Sequence, residues 1–197
     1  MGSIILLAVM GGIVLWVISA YNGLVSLKNQ VANAWKQIDV QLKRRHDLIP
    51  NLVNTVKGVM QFERETLEAV IAARNNAVKI EGSAAASIAQ IAGAETALTG
   101  ALSRLMAVVE AYPDLKANAN VSQLQEELTS TENRITFARQ LYNDTATLYN
   151  TKQEQFPTNM ITGLAKAHPA ELWEIQDSAE RATPVVDLSM NPAKPRA

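Results

Sequence analysis

The most constraining feature is a run of 17 residues without a charge, Ile4 to Ala20, reading IILLAVMGGIVLWVISA. As a helix rising 1.5 Å per residue it spans roughly 25 Å, and Met1–Ser3 and Tyr21 bring it to the ~30 Å of a hydrocarbon core. Trp16 and Tyr21 lie toward one end, where amphipathic rings suit the membrane interface. A cleavable signal peptide fits poorly. No basic residue precedes Ile4, and Ile18-Ser19-Ala20 is a weak cleavage site. A buried core helix is disfavoured by Gly11-Gly12 and by apolarity on every side. The segment 1–21 therefore reads as an uncleaved transmembrane anchor with lipid as its partner. Ala8 and Gly12 form a small-xxx-small pair on which two anchors can pack.

Flanking charge sets the orientation. The N-terminal side carries no Lys or Arg, whereas Lys28, Lys36, Lys43, Arg44 and Arg45 follow the span. This favours an N-terminus outside and a cytoplasmic body.

Past the anchor the apolar residues recur every three or four positions, and no strand pattern appears. Leu24, Val31, Trp35, Ile38, Leu42 and Ile49 form one stripe, continued by Leu52, Val56 and Val59. Pro50 lacks an N–H and restricts Ile49, so residues 46–51 are expected to be a kink or a tight connection, with Asp47 as an N-cap. A second helix carries Leu67, Val70, Ala77 and Val78 to about Lys79, and Ser83 is the expected cap of a third. That third helix holds Ile88, Ile91, Leu98, Leu102, Leu105, Val109 and Tyr112 and ends at Pro113. The last is the most regular. Val121, Leu124, Leu128, Thr131, Ile135, Ala138, Tyr142, Thr145, Tyr149 and Phe156 step by three and four like a coiled-coil seam.

The expected fold is all-α: an N-terminal transmembrane helix followed by an elongated antiparallel bundle of three to four long helices over 22–157. A short helical or capping segment over 158–178 and an extended or disordered tail over 179–197 complete the chain. Only Tyr21-Asn22-Gly23 separates the span from the first stripe. Gly23 costs about 1 kcal/mol relative to Ala, too little to break a helix running from membrane into body.

Several stretches carry a family resemblance. The run YNGLVSLKNQVANAWKQIDVQLKRRHDLIPNLVNTVKG begins at Tyr21, Ala73-Arg74 follows, then ENRITFARQLYNDTATLYN at Glu132–Asn150, then Phe156-Pro157. Over Ile4 to Leu188 the chain closely resembles the LemA family of bacterial membrane-anchored helical proteins. The resemblance implies an inner-membrane protein with one N-terminal anchor and an elongated helical body facing the cytoplasm. It leaves the biochemical role open. One departure is Val59-Met60-Gln61-Phe62-Glu63, where many relatives carry an aromatic and then His-Glu.

Composition excludes several functions. With 18 Lys and Arg against 19 Asp and Glu, the near-balance argues against nucleic-acid binding, which needs a basic face. Cysteine is absent, which removes disulfides, thiol catalysis and Cys-ligated metals. Neither His46 nor His168 follows a Glu by three residues, so the Glu-x-x-His pairs of bundle di-metal sites are missing. His46 is expected at a surface or cap. No catalytic, cofactor-binding or metal-binding residue, and no small-molecule substrate, is expected.

The candidate contacts are structural. Glu95 interrupts its stripe and needs a cation, which points to an interhelical pair with Arg74, Arg134 or Arg139. Tyr142-Asn143 and Tyr149-Asn150 repeat at seven residues, placing both amides on one face for bonding between helices or across protomers. Val25, Leu27 and Trp35 do not share one narrow stripe, a surplus that neighbours can bury. Leu164, Leu172 and Trp173 are the candidates for docking on the next protomer. These features favour a non-enzymatic scaffold that forms homo-oligomers on the membrane. The alternative is a monomeric adaptor or sensor recruiting a protein partner, for example in envelope stress.

Overall fold

A computed structural model describes residues 1–60 and 63–174; the expected tail at 179–197 lies outside the described residues. Among the described residues every regular element is helical. The first helix, α1, runs unbroken over Gly2–Val56. At 1.5 Å per residue it is about 80 Å long. It passes through Gly23 and through Pro50. Then follow α2 (Arg64–Glu81), α3 (Ile88–Glu110), the single turn α4 (Pro113–Lys116), α5 (Ala119–Glu154) and a 3₁₀ turn at Thr158–Ile161.

Residues 46–51 are helical, so the expectation of a tight connection there is corrected, and Asp47 lies inside the helix and is no cap. Pro50 withholds the N–H that would bond the His46 carbonyl, but Arg74 Nε of α2 donates to that carbonyl at 3.1 Å. With the orphaned acceptor satisfied, the helix continues and buries Ile49, Leu52, Val53 and Val56. The cap of α3 is Ser87 rather than Ser83. The Ser87 hydroxyl accepts from Gln90 N, and the Gln90 side chain accepts from Ser87 N. Asn118 caps α5, its Oδ1 accepting from Asn120 N at 2.9 Å and from Val121 N at 3.4 Å.

The helices run up, down, up and down. Far from the N-terminus, α1, α2, α3 and α5 meet in a four-helix head around Leu52, Val56, Val70, Leu98, Leu105 and Val121. Each such side chain, fully buried, contributes roughly 1.5–3 kcal/mol. Nearer the N-terminus only α1 and α5 continue, as a two-helix neck. Residues 158–174 lie along it, and Ile38, Ala138, Tyr142 and Trp173 share one core. The first 18 or so residues of α1 project beyond the neck. That segment has a mean hydropathy of 2.5 and none of it is buried.

The α5 seam follows expectation from Val121 to Tyr142 and again at Tyr149, and departs from it at the other positions near the end. Ala146 and Gln153 are buried, whereas Thr145 is half-buried; Phe156 is exposed because it lies past the end of α5. A straight helix drifts about 20° per heptad, so a strict 3.5-residue stripe rotates off the contact face.

Candidate functional site

The most concentrated chemistry sits inside the head. Ile38, Leu42, Ile49 and Leu52 of α1 face the core, and Arg45 and His46 occupy the same face between them. Glu95 arrives from α3 between Ile91 and Leu98, Glu81 from the end of α2, and Glu132 from α5. Arg45 donates to Glu95, to Glu132, and to Thr99 Oγ1 at 3.1 Å. His46 sits between two carboxylates, Nδ1 at 3.2 Å from Glu81 and Nε2 at 2.8 Å from Glu95. Arg45 is 2% exposed and His46 3% exposed. A polar cavity of about 310 Å³ opens over this cluster between α3 and α5.

Electrostatics fix the protonation states. Burial pushes the His46 pKa down, but the bonds to Glu81 and Glu95 outweigh it and raise it to about 9. Burial likewise opposes the Glu95 charge, yet His46 and Arg45 hold its carboxyl below the ordinary range. Asp39 is raised by partial burial and by its hydrogen bond to Glu81. At neutral pH the imidazole is therefore a cation and Glu95 an anion, so neither is poised to exchange a proton there. The arrangement acts as an electrostatic lock that joins all four helices.

One atom each from His46, Glu81 and Glu95 lie within 4.8 Å of one another, so these are the residues able to ligate a metal ion. Glu-x-x-His spacing does not reveal them, because they come from three helices. A cation would have to displace the imidazolium proton and draw Glu95 away from Arg45.

The expected positions fall as follows. Glu95 is buried and charged as expected, but its partners are Arg45 and His46, not Arg74, Arg134 or Arg139. His46 is a core residue, not a surface or cap residue. Arg74 does cross between helices, to the His46 carbonyl. Arg139 lies over the Trp173 ring, 5.3 Å from its centroid. Arg134 is exposed and lines a groove with Val40, Phe137 and Leu141.

Asn143 and Asn150 each cradle the backbone of the C-terminal strap rather than another helix. Asn150 Nδ2 donates to Ala170 O at 2.9 Å and its Oδ1 accepts from Ala170 N at 2.7 Å. Asn143 Nδ2 donates to Trp173 O at 3.0 Å and its Oδ1 accepts from Trp173 N at 2.9 Å. Seven helical residues rise about 10.5 Å, and three extended residues span about 10 Å, so the heptad echo matches a three-residue step of strap. Tyr142 Oη donates to Glu171 O at 2.6 Å, and burial with the nearby Glu171 charge pushes its pKa to about 12. The Glu171 carboxylate accepts from Ile88 N and Ala89 N, both at 3.1 Å, capping α3.

Leu172 and Trp173 are thereby corrected as docking residues. Trp173 is 4% exposed and packs on Trp35 of its own chain at a centroid distance of 5.9 Å. The same strap half-buries Leu172 and covers the Trp35 surface that suggested a neighbour. Leu164 is exposed. Ala8 and Gly12 lie on the exposed projecting stretch of α1. Apolar surface is left over elsewhere, on one side of the neck. Phe137, Leu141 and Leu148 of α5 and Val40 of α1 are all exposed, Phe137 at 71%.

The family model for the LemA family matches residues 34–188. Protein LemA of Metamycoplasma hominis is 29% identical over 140 residues, covering 71% of this chain and 62% of that protein. Magnetosome protein MamQ 2 of Paramagnetospirillum magneticum is 24% identical over 187 residues, 84% of this chain and 68% of that protein. Magnetosome protein MamQ of Magnetospirillum gryphiswaldense is 26% identical over 170 residues, 74% of this chain and 62% of that protein. The chain thus matches less than two thirds of the length of the first and last of these.

Proposed function

Because the chain belongs to the LemA family, we propose that this membrane-associated helical protein is a non-enzymatic scaffold whose copies assemble side by side on a bacterial inner membrane. The observation that carries the reading is the apolar stripe Phe137, Leu141 and Leu148, with Val40 beside it. It borders a groove of about 510 Å³ rimmed by Lys36 and Arg134. Contiguous exposed apolar surface marks an interaction site. α1 is one continuous helix from the apolar span into the head, so the stripe stands at a fixed distance along the helix from the span. Copies anchored in one membrane present it at the same height, and confinement to two dimensions raises their effective concentration. Ala8 and Gly12 give the spans a small-residue face for the same association.

The non-enzymatic part of the reading is supported by the head, where Arg45, His46, Glu81, Glu95 and Glu132 pair with one another and the Thr99 hydroxyl accepts from Arg45, with no free base among the described residues beside it to activate it. Lys28 and Lys36, exposed next to the span, support a cytoplasmic body, because positive charge flanking a span favours the cytoplasmic side. Arg45 adds little to that count, since its charge is spent inside the head.

The test is the absolute mass of the full-length protein in mild detergent. A discrete oligomer that Phe137→Glu reduces to monomer is expected. A monomeric wild type would turn the reading toward an adaptor that recruits a different protein.

A further inference from the structure

We propose that the turn from Phe156 to Leu164 is a second membrane contact, seated in the boundary between headgroups and acyl chains beside α1. This rests on the anchor and not on self-association. Phe156, Met160 and Leu164 follow one another at four-residue steps and are 79%, 75% and 67% exposed. Thr158 and Ile161 between them are buried. Ile161 belongs to a cluster with Leu24 and Tyr149, against which Val17 and Ala20 of the apolar span pack.

That packing fixes the depth. Val17 and Ala20 are the half-buried positions in a stretch otherwise bare from Ile4 to Ser19. Trp16 and Tyr21, the interfacial rings, bracket them. A turn resting on Val17 and Ala20 lies at the depth of the last turn of the span. If the span is inserted to Ala20, the three apolar side chains are inserted beside it. The backbone suits that depth, because the turn satisfies many of its own polar groups. Asn159 N donates to Gln155 O at 2.9 Å, Met160 N to Pro157 O at 3.1 Å and Ala165 N to Ile161 O at 3.0 Å. Irregular backbone is excluded from the hydrocarbon centre but is accommodated at the interface. Exposed Lys166 at the end of the turn suits anionic headgroups. A single helix leaves the body free to spin about its axis and to tilt. A second contact off that axis fixes both motions, and with them the direction in which the α5 stripe faces.

The chain has no cysteine, so a single introduced thiol is a unique label site. The full-length protein carrying Met160→Cys with a nitroxide label is reconstituted into vesicles of phosphatidylcholine and phosphatidylglycerol. Collision with oxygen and with a water-soluble nickel chelate is then read. Leu6→Cys serves as the buried reference and Ser122→Cys as the aqueous one. The expected result at 160 is oxygen access approaching that at 6, with nickel access several-fold below that at 122. Nickel access equal to that at 122 would overturn the proposal. Shielding from both reagents would also overturn it, since the cover would then be protein. Leu164→Cys repeats the reading, so a local disturbance at one label does not decide it. The detergent mass reads self-association separately, and either idea can fail alone.

Discussion

Head and neck are both closed by buried polar contacts, but of opposite kinds. The head is locked by charge: Arg45 and His46 of α1 against Glu81, Glu95 and Glu132 from the other three helices. The neck is closed by neutral amides, with Asn143 and Asn150 each making a two-way bond to strap backbone. Charge suits four helices that must agree on one register, because a slipped register leaves a buried ion without its partner. Amides suit an aperiodic strap, whose backbone groups need a donor and an acceptor at each point and whose side chains form no seam.

The comparison breaks most visibly at Glu95. Glu95→Ala strands Arg45 and His46 in the core, and the head is expected to lose about 3–5 kcal/mol. Denaturant unfolding of the full-length protein in detergent, followed by circular dichroism, measures it. A loss under about 1 kcal/mol would mean the lock is an ordinary surface pair.

The neck answers next. Asn150→Ala leaves the Ala170 N–H and carbonyl without partners, at an expected cost of about 1–3 kcal/mol. Hydrogen exchange is expected to quicken at 167–173 and to stay unchanged at 91–105. Equal quickening in both stretches would mean that head and neck are one cooperative unit.

A subtler distinction is pH. The folded pKa of His46, about 9, lies above its unfolded value of 6.5. Its contribution is therefore complete below pH 6.5 and is lost as pH rises through 9. Glu95, lowered in the fold, contributes above its ordinary pKa and loses that contribution in acid. Alkaline titration should loosen the head, with a slope that His46→Gln flattens, while exchange at Ala170 and Trp173, corrected for intrinsic rate, stays level. The smallest expected effect is that of metal. Since a proton and Arg45 already satisfy the candidate ligands, excess zinc or a chelator is expected to leave the melting temperature unchanged. A rise with zinc that Glu81→Gln abolishes would make the lock a metal site.

The N-terminal span was legible as an unbroken apolar run, and the helices and most of the α5 seam because each repeats a period. Glu95 was legible as a buried anion, since it interrupts a stripe. Its partner lay in Lys43-Arg44-Arg45, a run that reads equally as solvated or as ion-paired within the bundle, so Arg45 was not singled out. The stripe steps from Leu42 to Ile49, and Arg45, three residues past the one and four before the other, takes the core position between them once residues 46–51 are helical. What concealed this was a long-range compensation, Arg74 bonding the carbonyl that Pro50 frees. The Asn143 and Asn150 echo marked a face but not what lies on it, because the strap has no period of its own. The exposed Phe137 and Leu141 were equally hard to find, since in sequence they sit beside seam positions and resemble core.

Self-association through that α5 face is the central claim, and cross-linking in the membrane tests it most directly. In a chain without cysteine, Phe137→Cys in reconstituted vesicles is expected to form a covalent dimer on mild oxidation, while Ser122→Cys on the head does not. Absence of the dimer at 137, or equal cross-linking at both positions, would contradict the account.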